Sequence, residues 1–210
     1  MENRITEITS KENKAVKIGI IPGHFATNHS HVNYYVDLTG IKTSHAMAIE
    51  AASVLAQSYL SGLSVDTIIC LEGTEMLGAF FAQKLADAGI NSNKDIAVLT
   101  PELNSNNQMI FRDNIQSKVW GKNVVLLISS ASTGKTISRS VECLQYYSGK
   151  LVGISAIFSA IDDFNGMPVN AIFRSSDLPR YETFLSHECP MCKQGKKIDA
   201  VVNSYGYMKL

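Results

Sequence analysis

The stretch Val124–Thr136, VVLLISSASTGKT, limits what this chain can fold into more than any other segment. Val124 to Ile128 are β-branched or leucine, with no alternating polar face, which is the pattern of a central parallel strand covered on both sides. The run ends abruptly in small and hydroxylated residues around Gly134, and Ile137–Tyr147 reads as the helix that follows. A strand, a small-residue loop and a helix N-terminus in succession aim backbone N–H donors and the positive end of the helix dipole at one point, where an anion can sit. Ser129, Ser130, Ser132, Thr133, Gly134, Lys135 and Thr136 are therefore candidate phosphate ligands. The plainer reading is a Ser/Thr-rich turn that only caps a helix.

The rest of the chain repeats this order. Val16–Ile21 is a predicted strand stopped by Pro22-Gly23, His31–Leu38 has strand composition, and His45–Ser61 has helical spacing, with Ala48, Ala51, Ala52, Leu55 and Ala56 on one side. Val65–Leu71 reads as a buried strand, Glu72–Glu75 as a loop and Met76–Ala88 as a helix ended by Gly89. Ile96–Thr100, Gln108–Phe111, Leu151–Ile161 and Val169–Phe173 are further strand candidates, and Glu102–Asn107 a turn or loop. Residues 1–14 are polar and expected to be weakly ordered. Strands alternating with helices predict an α/β fold with a mainly parallel sheet flanked by helices, binding its ligand beyond the carboxyl ends of the strands.

Length and charge narrow the function. At 210 residues the chain suits one domain with a small appended part. Its 19 basic residues balance 19 acidic ones, so no overall field favours nucleic acid or an anionic membrane. No apolar stretch approaches the about 20 residues of a membrane span, and Met1–Lys17 is polar where a secretory leader would be apolar. A soluble cytoplasmic protein is expected. Cys189-Pro-Met-Cys192 has the spacing of half a zinc site, and His187 could be a third ligand, but no second pair follows. No metal is assigned on that incomplete set. A turn with free thiols, a metal held alone or across a dimer, and a redox pair remain open. His24, His29, His31 and His45 are expected to be surface or hydrogen-bonded histidines, since no H-x-x-x-H motif is present.

Two loop designs fit Ser129–Thr136. Gly134-Lys135-Thr136 matches the second half of the nucleoside-triphosphate P-loop, with Asp162 as a candidate acidic partner, but the first glycine of that motif would fall on Ser129. The second design accounts for more of the chain. Val124–Thr136 resembles the phosphoribosyl-pyrophosphate signature of type I phosphoribosyltransferases: apolar residues, two acids, then a Thr/Ser-rich loop with glycine. His29–Leu38, HSHVNYYVDL, is similar to the N-terminal hood of orotate phosphoribosyltransferases. Leu71–Ala79 is similar to their pyrophosphate loop, Phe111-Arg112 and Gly121–Val124 to the flexible catalytic loop and its return, and Glu188–Gly195 to the cysteine segment of one subgroup. The resemblance spans about residues 25–195 and implies 1–40 as arm and hood, 41–180 as the α/β core and 181–210 as a tail.

That resemblance implies a protein that binds phosphoribosyl pyrophosphate with Mg²⁺ and transfers phosphoribose to a pyrimidine base such as orotate, releasing pyrophosphate, as a homodimer. It implies 5-phosphate binding by Ser132–Thr136, pyrophosphate binding by Glu72, Gly73 and Thr74, loop cations at Arg112 and Lys118, and a base pocket at Tyr34 and Tyr35. Ordinary strand packing is the alternative for the two tyrosines, and a solvated carboxylate for Glu72. Three departures stand out. The paired acids that hold the ribose hydroxyls fall on Ile128 and Ser129, Arg112 is followed by Asp113, and Asp162-Asp163 stands where an arginine would meet the orotate carboxylate, unless Arg174 or Arg180 reaches in. An impaired homologue that binds a nucleotide or sugar phosphate is therefore the alternative to an enzyme, and a P-loop-like nucleotide binder the second alternative.

Overall fold

The computed structural model describes residues 1–28, 30–106 and 108–210. The chain opens with β1 (Thr6–Thr9), β2 (Lys17–Ala26) and β3 (His31–Asp37), followed by helices α1 (Thr39–Thr43) and α2 (His45–Ala56). Then come β4 (Thr67–Cys70), α3 (Glu75–Ala86), β5 (Ala97–Leu99), the small hairpin β6 (Glu102–Leu103) and β7 (Met109–Ile110), and α4 (Asp113–Gln116). β8 (Asn123–Ala131), α5 (Lys135–Tyr146), β9 (Lys150–Ser159), β10 (Asp163–Phe164) and β11 (Met167–Arg174) complete the core. The last elements are β12 (Thr183–Phe184), α6 (Pro190–Lys193), β13 (Ala200–Asn203) and β14 (Gly206–Lys209).

The core sheet has the order β10-β11-β9-β8-β4-β5, parallel except for the β10–β11 hairpin. Val124 to Ile128 are wholly buried, as a strand without a polar face requires. Their side chains alternate between two cores. Val125 and Leu127 pack with Ile68, Cys70 and residues of α2 and α3, including Leu55, Leu77 and Phe81. Val124, Leu126 and Ile128 pack on the other face with Ile69, Leu71 and with Ile137 and Leu144 of α5. Each such burial contributes about 1.5–3 kcal/mol, so β8 anchors both layers. At Gly78, a Cβ would lie 2.2 Å from Cys70 Sγ, so only glycine lets α3 lie this close to β4.

A second sheet, β12-β3-β2-β13-β14 with β1 pairing the first half of β2 on the edge away from β3, forms the hood. It corrects three sequence expectations. Residues 6–9 are a strand paired with β2, and the C-terminal stretch contributes three strands to the sheet rather than trailing as a tail. β2 also runs through Pro22-Gly23 to Ala26, because a register shift between Pro22 and Phe25 absorbs the proline. At Gly23 a Cβ would meet the Asp199 carboxylate at 2.6 Å and the Phe25 ring at 2.7 Å. In the core, residues 102–103 pair with 109–110 as a hairpin, where a loop was expected; Asn107 lies outside the described residues.

Candidate functional site

In the core sheet the chain passes from β4 outward to β5 and later returns on the other side of β4 as β8, so the strand order reverses between β4 and β8. Such a switch point leaves a crevice beyond the carboxyl ends of the strands. A cavity of about 380 Å³ lies there, a size suited to a small molecule, between the core and the hood. Its floor is the turn after β8. Ser130, Ala131 and Ser132 to Thr136 line it, with Arg139 one turn along α5. Gly134 is left-handed at φ 73° and ψ 0° and is the N-cap of α5, with no side-chain cap. The first N–H groups of a helix have no intrahelical partner. Those of α5 therefore lie at a cavity that Ser132, Thr133 and Thr136 also line.

Glu72 forms the opposite lip. It follows β4, is left-handed at φ 62° and lines the cavity. Its Oε2 accepts the hydroxyl of Ser129 at 2.7 Å and the N–H of Ser130 at 3.4 Å, so β8 holds the carboxylate in place. Lys42, from α1, donates its ammonium to the Glu72 carbonyl at 3.1 Å and to the Ser204 carbonyl. Its Nζ also lies 5.6 Å from the centre of the Tyr205 ring. Burial pushes the Lys42 pKa down, against the opposing pull of Glu72, Glu75 and Asp37. Lys42 thus ties the loop after β4 to the β13–β14 turn, whose residues Asn203, Ser204 and Tyr205 line the hood side of the cavity. No family model matches the sequence. Among solved structures the fold is similar to UMP synthase from Leishmania donovani, with a TM-score of 0.55 and 15% identity over 75% of this chain and 34% of that one. It is also similar to a phosphoribosyltransferase from Corynebacterium diphtheriae, with a TM-score of 0.51 and 18% identity over 76% and 90% of the two chains. A third neighbour is the adenine phosphoribosyltransferase of Trypanosoma brucei in complex with AMP, pyrophosphate and ribose-5-phosphate, with a TM-score of 0.51 and 13% identity over 75% and 74%. This chain has the phosphoribosyltransferase fold.

The phosphoribosyltransferase fold gathers some of the expected site residues and separates others. Ser130, Ser132, Thr133, Gly134, Lys135, Thr136, Glu72, Tyr34 and Tyr35 all border the cavity. Tyr35 also packs on Phe25 and Tyr207, with ring centres 6.1 and 5.3 Å away, and burial pushes its phenol up to about 12. Ser129 is fully buried and serves Glu72 rather than the open cavity. Thr74 is fully buried too, and its hydroxyl is used on the carbonyls of Leu71 and Leu127. Gly73, at φ 78°, lies behind the lip beside Lys42 and Tyr205.

The expected loop cations are placed elsewhere. Arg112 forms a two-pronged pair with Glu102 at 2.8 and 2.6 Å, because the β6–β7 hairpin brings that carboxylate opposite it. The Lys118 carbonyl accepts the hydroxyl of Thr67, the first residue of β4, which puts Lys118 at the amino end of the sheet, away from the cavity. Arg174 is bound to Asp162 at 3.1 Å and to the Val169 carbonyl at 2.7 Å, and Arg180 is exposed, its carbonyl taken by Asn33. β8 continues in register to Ala131, so Ser129 is a strand residue and the turn is too short for a P-loop.

Lys42 escaped sequence reasoning, since one lysine in a five-residue helix carries no motif. His45 is exposed at the start of α2 and His187 is exposed beside Glu188, while His29 lies outside the described residues. His24 and His31 meet within the hood, at 3.0 Å between Nε2 and Nδ1. No helix among the described residues is long and apolar enough to cross a membrane.

Proposed function

We propose that the cavity binds a 5-phosphoribosyl ligand, phosphoribosyl pyrophosphate or a nucleoside monophosphate, with its 5-phosphate on Ser132–Thr136. The observation that carries this reading is the left-handed Gly134 cap, which leaves the first N–H groups of α5 open to a cavity also bordered by Lys135 and Arg139. The likeness of fold to an adenine phosphoribosyltransferase described with ribose-5-phosphate supports it. With no acid at positions 128 and 129, the Glu72 carboxylate, held by Ser129 and bordering the cavity, would accept the ribose hydroxyls. Mg²⁺ would come with the pyrophosphate, since one carboxylate in the wall suits an ion that takes most of its oxygens from phosphate and water.

The absence of acids at Ile128 and Ser129 supports binding with little turnover over efficient transfer to a base such as orotate. Neutralising the leaving pyrophosphate is a large catalytic contribution, and Arg112, expected there, does not line the cavity but is paired with Glu102 at the surface. Calorimetry with phosphoribosyl pyrophosphate, ribose 5-phosphate and UMP tests the binding. Thr133→Val with Lys135→Ala should weaken all three ligands about tenfold or more, as loss of charge-assisted hydrogen bonds implies. Glu72→Gln should weaken the ribosyl ligands and spare inorganic phosphate. Unchanged binding in the double variant would refute the phosphate site. Pyrophosphate release at about 1 s⁻¹ or faster with orotate, uracil or adenine would refute the low-turnover reading.

A further inference from the structure

We propose that His24, His31, Cys189 and Cys192 form a tetrahedral zinc site that fastens the C-terminal segment to the hood. One donor atom from each residue lies within 4.8 Å of the other three. The measured separations are 3.0 Å from His24 Nε2 to His31 Nδ1, 3.5 Å from Cys189 Sγ to His24 Nε2, 3.6 Å from Cys192 Sγ to His24 Nε2 and 3.3 Å from Cys192 Sγ to His31 Nδ1. With Zn–N bonds of about 2.05 Å and Zn–S bonds of about 2.3 Å, tetrahedral geometry separates two nitrogens by about 3.3 Å and nitrogen from sulfur by about 3.6 Å. These four separations stand within a few tenths of an ångström of that arrangement, and the remaining two, both from Cys189 Sγ, lie within 4.8 Å.

Local structure explains the convergence. Pro190 opens the short helix α6, so Cys189 caps it and Cys192 lies one turn along, with the C-x-x-C spacing of a metal turn, which Gly195 closes at φ 70°. The β2 register shift lies at His24, which is wholly buried and faces His31 at the start of β3. His24 Nδ1 lies 2.9 Å from the Lys196 carbonyl, which can only accept, so the ring proton is on Nδ1 and the Nε2 lone pair points at the thiols. The His24 N–H is in turn fixed by the Asp199 carboxylate at 2.8 Å, and Asp199 is paired with Arg4 at 2.9 Å. A hydrogen bond between two histidines would account for the 3.0 Å contact alone. It does not account for two sulfurs on the same lone pair, of which Cys189 is wholly buried.

Charge and ligand chemistry select the ion. Two thiolates and two neutral imidazoles balance Zn²⁺, so the buried centre is uncharged, and a tetrahedral set of two sulfurs and two nitrogens is characteristic of zinc. Binding releases the Cys189 and Cys192 thiol protons to solvent, and His31 carries its proton on Nε2 while Nδ1 binds the metal. The ligand set is complete, with no position left for water or substrate, so the role is structural. The site clamps residues 189–199 against β2 and β3, and the next strand, β13, leads directly to the Asn203–Tyr205 turn that walls the cavity.

Metal analysis of the purified 210-residue chain tests this without reference to activity. The expected result is about one zinc per chain, lost in Cys192→Ser and retained in Cys143→Ser. Replacement by Co²⁺ should give the intense visible bands of a tetrahedral thiolate site. Less than about a tenth of an equivalent of metal in the wild-type protein after exposure to Zn²⁺ would overturn the proposal. So would a Cys189–Cys192 disulfide found by mass spectrometry without reductant, or undiminished zinc in Cys192→Ser. If Cys192→Ser does not fold, the wild-type zinc content and the cobalt spectrum decide.

Discussion

Gly134 and Gly121 are both left-handed, at φ 73° and 69°, and they bracket β8 at its two ends. Alanine at either position has to adopt a conformation that costs about 1–2 kcal/mol in a residue with a Cβ. Sterics add little. A Cβ at Gly134 would touch Ile161 and Phe164 at 3.4 Å, ordinary contact, and one at Gly121 would meet nothing within 4 Å. Gly134→Ala and Gly121→Ala should therefore lower stability equally, a fall in Tm of about 2–8 °C for a chain of this size by thermal denaturation. Their effects on ligand should differ. Gly134 sets the direction of the first N–H groups of α5, so its alanine variant should lose about tenfold or more in affinity for ribose 5-phosphate, about 1.4 kcal/mol. Gly121→Ala, at the amino end of β8, should bind as wild type. Equal affinities in the two variants, despite matching losses of stability, would refute the assignment of the phosphate to this turn.

The Asp66 carboxylate accepts the Asn123 N–H at 2.9 Å and pairs with Lys94 at 3.0 Å, joining β4 to β8 at the amino edge of the sheet. Burial alone would raise its pKa, but these partners outweigh burial and hold it below the usual value of 3.8. Its folded value is thus below its unfolded one, so the contribution is complete above 3.8 and lost as pH falls through the lowered value. Asp66→Asn should lower Tm at pH 7 and flatten the acid limb of a Tm against pH profile; parallel profiles would contradict this. Gly78→Ala should cost about 1–3 kcal/mol in urea unfolding, because its Cβ would be driven into Cys70 Sγ. Cys70→Ala should recover part of that loss, and full additivity of the two substitutions would argue against the contact.

The parts of the molecule readable from sequence are those whose partners are implied by composition. Five consecutive aliphatic residues at 124–128 can only be a doubly covered strand, and the glycine after them marks the turn into α5. The hood was obscured by distance. Residues 200–203 and 206–209 form strands of four residues, too short to show a pattern, and the pairing of Ala200 and Val201 with Phe25 and Ala26 is invisible to any local window. The same limit hid the four-ligand cluster, since Cys189 lies 165 residues from His24. Arg112 looked available because nothing in its own segment showed that Glu102, ten residues earlier, faces it across a hairpin.

The hood also divides the molecule by folding cost. Its small apolar cluster, Ile21, Phe25, Val32, Tyr35, Ala200 and Val202, is separate from the two cores around β8 and joins stretches from opposite ends of the chain. Ile18 and Ile20 of β2 pack into the main core, whereas β13 joins β2 only by closing a loop through most of the chain, so the C-terminal strands are the part of this layer expected to open first. The two faces of the cavity thus differ in kind. One is a cup built on the buried strand β8, and the other is a wall held in place by the short C-terminal strands and by Lys42.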